Sequence, residues 1–106
     1  MTDARIILTT VAIHETAMTI ARTLVQERLV ACVNVATAVE SIYWWQGKLE
    51  QSLEYVLMMK TTAARIDPLR ERLLALHPYE VPEFVVLPVE SGSEAYLSWI
   101  RENVAG

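Results

Sequence analysis

Tyr43-Trp44-Trp45-Gln46-Gly47-Lys48 is the stretch that decides the fold. Gln46-Gly47 is a turn signal. On its N-terminal side, strand character runs back from Tyr43 through Val39 to Val30-Ala31-Cys32-Val33-Asn34-Val35. On its C-terminal side, it resumes after Lys48 and peaks at Tyr55-Val56-Leu57-Met58-Met59. The two runs form a hairpin. Each arm is about twice the usual strand length of roughly 5–6 residues.

Outward from the hairpin, Arg5 to Val11 is β-branched and apolar and reads as a strand. Ala17, Ile20, Ala21, Leu24 and Val25 then recur at helical spacing, predicting an amphipathic helix that ends near Leu29. Asp67-Pro68 is expected to open a second helix, with Asp67 as N-cap and Pro68 in the first helical position. Ile66, Leu69, Leu73 and Leu76 line one side of it, and His77-Pro78 stops it. Phe84 to Val89 is the next strand, where Pro88 demands an edge or a bend. Ser93 caps a last helix carrying Leu97, Ile100 and Val104 on one face. Residues 1–106 thus read as a single domain of βαββαβ order followed by a helix. This is the α+β, ferredoxin-like sandwich: an antiparallel sheet with its helices on one face.

A sheet with one wet face alternates apolar and polar residues. Val30 to Val35 and Tyr55 to Met59 do not. Met58 and Met59 point to opposite faces, so both cannot meet the chain's own helices. Either the third helix crosses over to cover the second face, or copies of the chain cover it for one another. The overlong hairpin favours self-association.

Hydrophobic residues make up 53% of the 106, charged residues 21%, and the net charge is −4. An acidic balance argues against nucleic acid, whose binders carry a basic excess. The ferredoxin-like order also fits an RNA-binding module, but that module needs stacking aromatics where this chain has Val, Leu, Met and Cys. No apolar run approaches the roughly 18 residues that span a bilayer. The N-terminal residues lack the pattern of a signal peptide. Cys32 is the one cysteine, which excludes an intramolecular disulfide and suits a reducing compartment. The expectation is a cytoplasmic protein with neither a membrane nor a nucleic-acid partner.

Few residues carry legible chemistry. Cys32 reads as a small buried hydrophobe or as a soft ligand for a thiophilic ion. His77 either caps the second helix or joins Tyr79, Glu80 and Glu83 in a polar cluster suited to Cu(II), Zn or Ni. His14 reads as an exposed loop residue. Trp44 and Trp45 face opposite ways, as interface anchors or as a pocket wall with Lys48 and Lys60 as anion contacts. There is no CxxC, HxxxH or HExxH, no nucleophile elbow and no Gly-rich phosphate loop.

In order and spacing, Ala31-Cys32-Val33-Asn34, Ser41 to Lys48, Glu54 to Thr61 ending Met58-Met59-Lys60-Thr61, His77-Pro78-Tyr79-Glu80-Val81-Pro82 and Leu87-Pro88-Val89 resemble the CutA family, with Tyr96 to Ile100 matching its closing helix. The resemblance implies a homotrimer with interlocking hairpins and a link to divalent-cation tolerance, copper above all. It implies a polar cluster between subunits around Tyr43, Trp44, Lys48, Lys60, His77, Tyr79 and Glu80. The resulting expectation is a non-catalytic protein that binds copper or a similar divalent ion through His77 with Glu80 or Glu83, and Cys32, without an organic cofactor. Two other readings stand beside it. One is a trimeric sensor, like the PII signalling proteins, that binds a small molecule in the intersubunit cleft. The other is a stable scaffold for a partner protein.

Overall fold

The computed structural model describes residues 1–104. The elements run β1 (Ala4–Val11), α1 (His14–Gln26), β2 (Cys32–Trp45), β3 (Lys48–Thr62), α2 (Ile66–Leu76), β4 (Val85–Pro88) and α3 (Glu94–Asn103). The four strands form one antiparallel sheet in the order β2-β3-β1-β4, the ferredoxin-like arrangement. Pro88 lies in β4 at the sheet edge, where its missing N–H costs no ladder bond.

Side-chain alternation sorts the sheet into two faces. Ile7, Val11, Leu57 and Met59 face α1 and α2, and close a core with Ala17, Ile20, Leu24, Leu69 and Leu73. Ile6, Leu8, Val56 and Met58 point the other way. Met59 is sealed and Met58 only half-buried, as two adjacent strand residues require. The helices do not all share one face. α3 packs Leu97, Ile100 and Val104 around Ala4, which has the parity of Ile6 and Leu8. It covers one end of the second face. At the edge of that face Val85 and Leu87 remain 43% and 41% exposed.

Three boundaries differ from the sequence-based expectation. α1 stops at Gln26, short of Leu29, because Arg28 turns left-handed at φ 57°. The Arg28 and Leu29 N–H groups donate to the Val25 and Leu24 carbonyls at 3.0 Å each, a Schellman closure with Arg where Gly is usual. Asp67 is not the N-cap of α2. A 3₁₀ turn at Ala63–Arg65 leads directly into the helix, which moves Asp67 into the first turn, where it pairs with Arg70 at 2.9 Å. His14 is the exposed first residue of α1, edge-on to Tyr55, and not a loop residue.

The β2–β3 hairpin turns at Gln46 and Gly47, with φ 51° and 78°. Positive φ at both positions is the type I′ geometry that matches strand twist. The arm makes the molecule long, 44 × 25 × 23 Å. Partway along it sits a bulge. Ala36 pairs with Val56 and Val39 with Glu54, so Thr37 and Ala38 oppose Tyr55 alone.

Candidate functional site

The bulge builds the site. Counting by alternation from Val33 and Val35 would put Tyr43 and Trp45 on the helix-covered face. The extra residue reverses this. Beyond it, Ser41 and Tyr43 pair with Ser52 and Glu50, on the face that also carries Glu54. The loop after α2 swings alongside. Between arm and loop lies a cleft of about 730 Å³, lined by Thr10, Ser41, Tyr43, Trp45, Ser52, Glu54, Tyr79, Glu80 and Glu83 among others.

His77 fixes the loop. It is buried, 7% exposed. Its Nδ1 accepts the Tyr79 N–H at 3.2 Å, so its Nε2 carries the proton and donates to the Thr10 carbonyl at 2.9 Å. Both ring nitrogens are engaged. His77 is the C-cap of α2, its backbone N–H donating to the Leu73 carbonyl at 2.9 Å, and its ring ties the loop to the end of β1. Tyr79 packs edge-on to that imidazole, with ring centroids 4.6 Å apart. Its phenol donates to Glu54 Oε2 at 2.6 Å. Burial, and then the Glu54 carboxylate, hold the Tyr79 phenol well above its ordinary pKa. It is therefore a neutral hydrogen-bond donor near pH 7.

Glu54 was not foreseen, although a single acid inside the apolar run Leu53-Glu54-Tyr55-Val56-Leu57 was a readable signal. It is only 6% exposed. No salt bridge reaches it among the described residues. The three charged side chains in the lining, Glu54, Glu80 and Glu83, are all acidic.

The structure brings Tyr43, Tyr79, Glu80 and Glu83 to this cleft. Within one chain it does not bring Trp44, Lys48, Lys60 or Cys32 there. Trp45 takes the place given to Trp44, which is 73% exposed on the opposite side of the arm. Lys48 follows the hairpin turn. Cys32 and Lys60 are cross-strand partners beyond the bulge, at the other end of the hairpin. There Lys60 donates to Asn34 Oδ1, and the Cys32 thiol lies 3.8 Å from the same oxygen. No three His, Cys, Asp or Glu side chains converge as a metal-binding set among the described residues. Cys32, His77, Glu80 and Glu83 are thus not one donor set within a chain.

The profile of the CutA1 divalent ion tolerance protein family matches residues 5–103. The Divalent-cation tolerance protein CutA of Thermus thermophilus is 50% identical over 98 residues, which are 92% of this chain and 95% of that one. Its solved structure superposes with a TM-score of 0.93, covering 96% of this chain and 99% of that one. The chloroplastic Protein CutA of Arabidopsis thaliana is 39% identical over 92% of this chain, but the chain spans only 54% of that protein's length. The periplasmic divalent cation tolerance protein CutA of Archaeoglobus fulgidus is 33% identical, with a TM-score of 0.92 over 96% of this chain and 99% of that one. A match spanning nearly the whole chain in both sequence and fold shows that this protein belongs to the CutA1 divalent ion tolerance family.

Proposed function

We propose that this chain acts in divalent-cation tolerance as a non-catalytic homotrimer. Three copies cover one another's open sheet faces, and the acidic cleft of each receives copper or a similar divalent ion. The observation that carries this reading is the cleft lining: three carboxylates and no lysine or arginine. Such a lining draws cations and repels anions.

The donor chemistry sharpens the reading. A soft Cu(I) site wants converging sulfur or free imidazole. Here Cys32 lies beside Asn34 and Lys60, and both His77 nitrogens are engaged. Oxygen donors at Glu80 and Glu83 suit a divalent ion better. One chain does not complete a donor set, so in our reading the neighbouring copy supplies the remainder. The non-catalytic role rests on the two side chains best suited to move protons. His77 is committed at both nitrogens, and Tyr79 is held neutral. The one free thiol supports a cytoplasmic setting.

The test is a titration with Cu(II), and with Cu(I) under reductant, against a competing chelator, with light scattering of the same samples. We expect a trimeric mass and Cu(II) binding that a Glu80→Gln/Glu83→Gln variant weakens at least tenfold. Cys32→Ser should bind as the parent does. A loss confined to Cys32→Ser, or no binding above the chelator background, overturns the oxygen-donor assignment.

A second reading, a trimeric sensor of a small molecule, is supported by size. The cleft volume falls within the range of about 300–1,000 Å³ typical of organic ligands.

A further inference from the structure

The loop between α2 and β4 has few polar ties to the rest of the chain. No backbone–backbone hydrogen bond joins residues 78–83 to another segment among the described residues. Pro78 and Pro82 have no N–H to offer. Side chains hold the loop instead. The His77 ring sits between the Thr10 carbonyl and the Tyr79 N–H, and the Tyr79 phenol reaches Glu54. All of these bonds form within one chain.

The bond from the Tyr79 N–H has a condition that the others lack. It exists only while His77 Nδ1 keeps a free lone pair. A neutral imidazole has one donor and one acceptor nitrogen, whereas an imidazolium has two donors. A second proton on the ring would set an Nδ1–H against the Tyr79 N–H, now 3.2 Å away. The Nε2–H bond to Thr10 survives that change and the Tyr79 bond does not. His77 is buried, which leaves little room for water to relieve two opposed donors.

We propose that His77 is a proton-operated latch. Uptake of a second proton by its ring detaches the Tyr79 backbone, frees residues 78–83 from the end of β1 and draws the Tyr79 phenol off Glu54. Acidification is the stimulus: the loop is held in neutral solution and released as pH falls. The ionisable groups around the ring come from α1, β2, β3 and the loop itself. Tyr79 lies edge-on at 4.6 Å, with Glu80 and Glu83 further along the loop. Glu54 of β3 lies behind Tyr79, and Tyr43 of β2 lines the same cleft. Glu15 of α1 shares a surface groove with Leu76, the residue before His77. β1 contributes the Thr10 carbonyl. The carboxylates in this set also gain protons in acid, so a test must separate the ring from them.

NMR of the isotope-labelled intact protein, in chelator-treated buffer, makes that separation. The pH is taken from about 8 to about 4.5, across the ordinary imidazole range. His14 is the other histidine of the chain, so His14→Gln assigns the ring signals. Ring nitrogen shifts report protonation. Hydrogen exchange at the Tyr79 amide, corrected for the intrinsic rate at each pH, reports the latch. We expect the Nε2–H tautomer at the alkaline end, and at least a tenfold fall in Tyr79 protection with the same midpoint as ring protonation. His77→Gln keeps an amide N–H for Thr10 but takes up no proton, and should show no such pH-linked fall. Tyr79→Phe keeps the backbone bond and should show the fall as the parent does, which keeps the test decisive if His77→Gln does not fold. Ring protonation with the amide still protected overturns the latch, and would mean that neighbouring copies clamp the loop. An equal fall in His77→Gln overturns it in favour of the carboxylates. A ring that stays neutral throughout also overturns it. No step uses a metal, so the cation reading stands or falls separately.

Discussion

The near and far halves of the β2–β3 hairpin contain similar residues and meet different surroundings. In the near half, Val33 and Val35 pair with Met59 and Leu57, and all four pack into or against the core that α1 and α2 close. In the far half, Ile42, Trp44, Leu49 and Leu53 share one side of the arm and stand in the open, with Leu53 59% exposed. These four side chains are as apolar as those in the core. Their exposure therefore reflects reach: the helices end before the arm does. A contiguous apolar stripe on a projecting arm is a surface that association would bury. The near half holds one chain together, and the far half is suited to holding several.

Truncating one leucine in each half should have the largest effect. Leu57→Ala opens a cavity in a sealed core and should cost about 2–5 kcal/mol in denaturant unfolding at every protein concentration. Leu53→Ala should leave unfolding at low concentration within about 0.5 kcal/mol of the parent. It should instead weaken the concentration dependence that marks association. Equal, concentration-independent losses in both variants would dissolve the distinction.

A smaller effect sharpens the account of the near half. Thr9 is fully buried beneath the helices, and its hydroxyl has no partner among the described residues. Thr9→Val keeps the shape and removes the orphaned group, so stability should rise by about 1 kcal/mol, measured as a higher denaturant midpoint at unchanged slope. A fall would mean that the hydroxyl is satisfied by water.

The smallest effect lies where the halves meet, at Tyr79 and Glu54. The folded state raises the Tyr79 pKa, so its contribution to stability is complete below the ordinary phenol value of about 10. Above that pH the unfolded chain ionises first, and the contribution is lost as pH rises further. The parent should lose stability more steeply than Tyr79→Phe from about pH 10 upward. Parallel alkaline profiles would show that the phenol is not held neutral.

Element order and both long strands were legible from the sequence, because Gln46-Gly47 fixes the turn and apolar runs mark the strands on each side. The second, half-covered face followed from Met58 and Met59 being adjacent. The end of α1 was misjudged, because Arg28 adopts a conformation that sequence usually signals with glycine. The cleft was only partly legible. The Tyr79–Glu83 loop was marked by its polar residues, and Tyr43 by its place in the aromatic stretch. Glu54 was missed, and Trp44 was assigned to the site in place of Trp45, for two physical reasons. Glu54 meets Tyr79 across 25 positions of sequence. Trp45 reaches the cleft only because the strand gains a residue on the way.

That gained residue behaves like a shift of reading frame written in side chains. Before Ala36, odd-numbered positions of β2 lie on the helix side of the sheet; after Val39, even-numbered ones take that side, beyond the reach of the helices. The same strand thus carries two messages, and Thr37-Ala38 is the punctuation between them. Removing one residue there would leave the composition of the arm almost unchanged while exchanging the audiences of Trp44 and Trp45. A chain could in this way acquire or lose a binding site by indel alone, with no substitution at any residue that lines it.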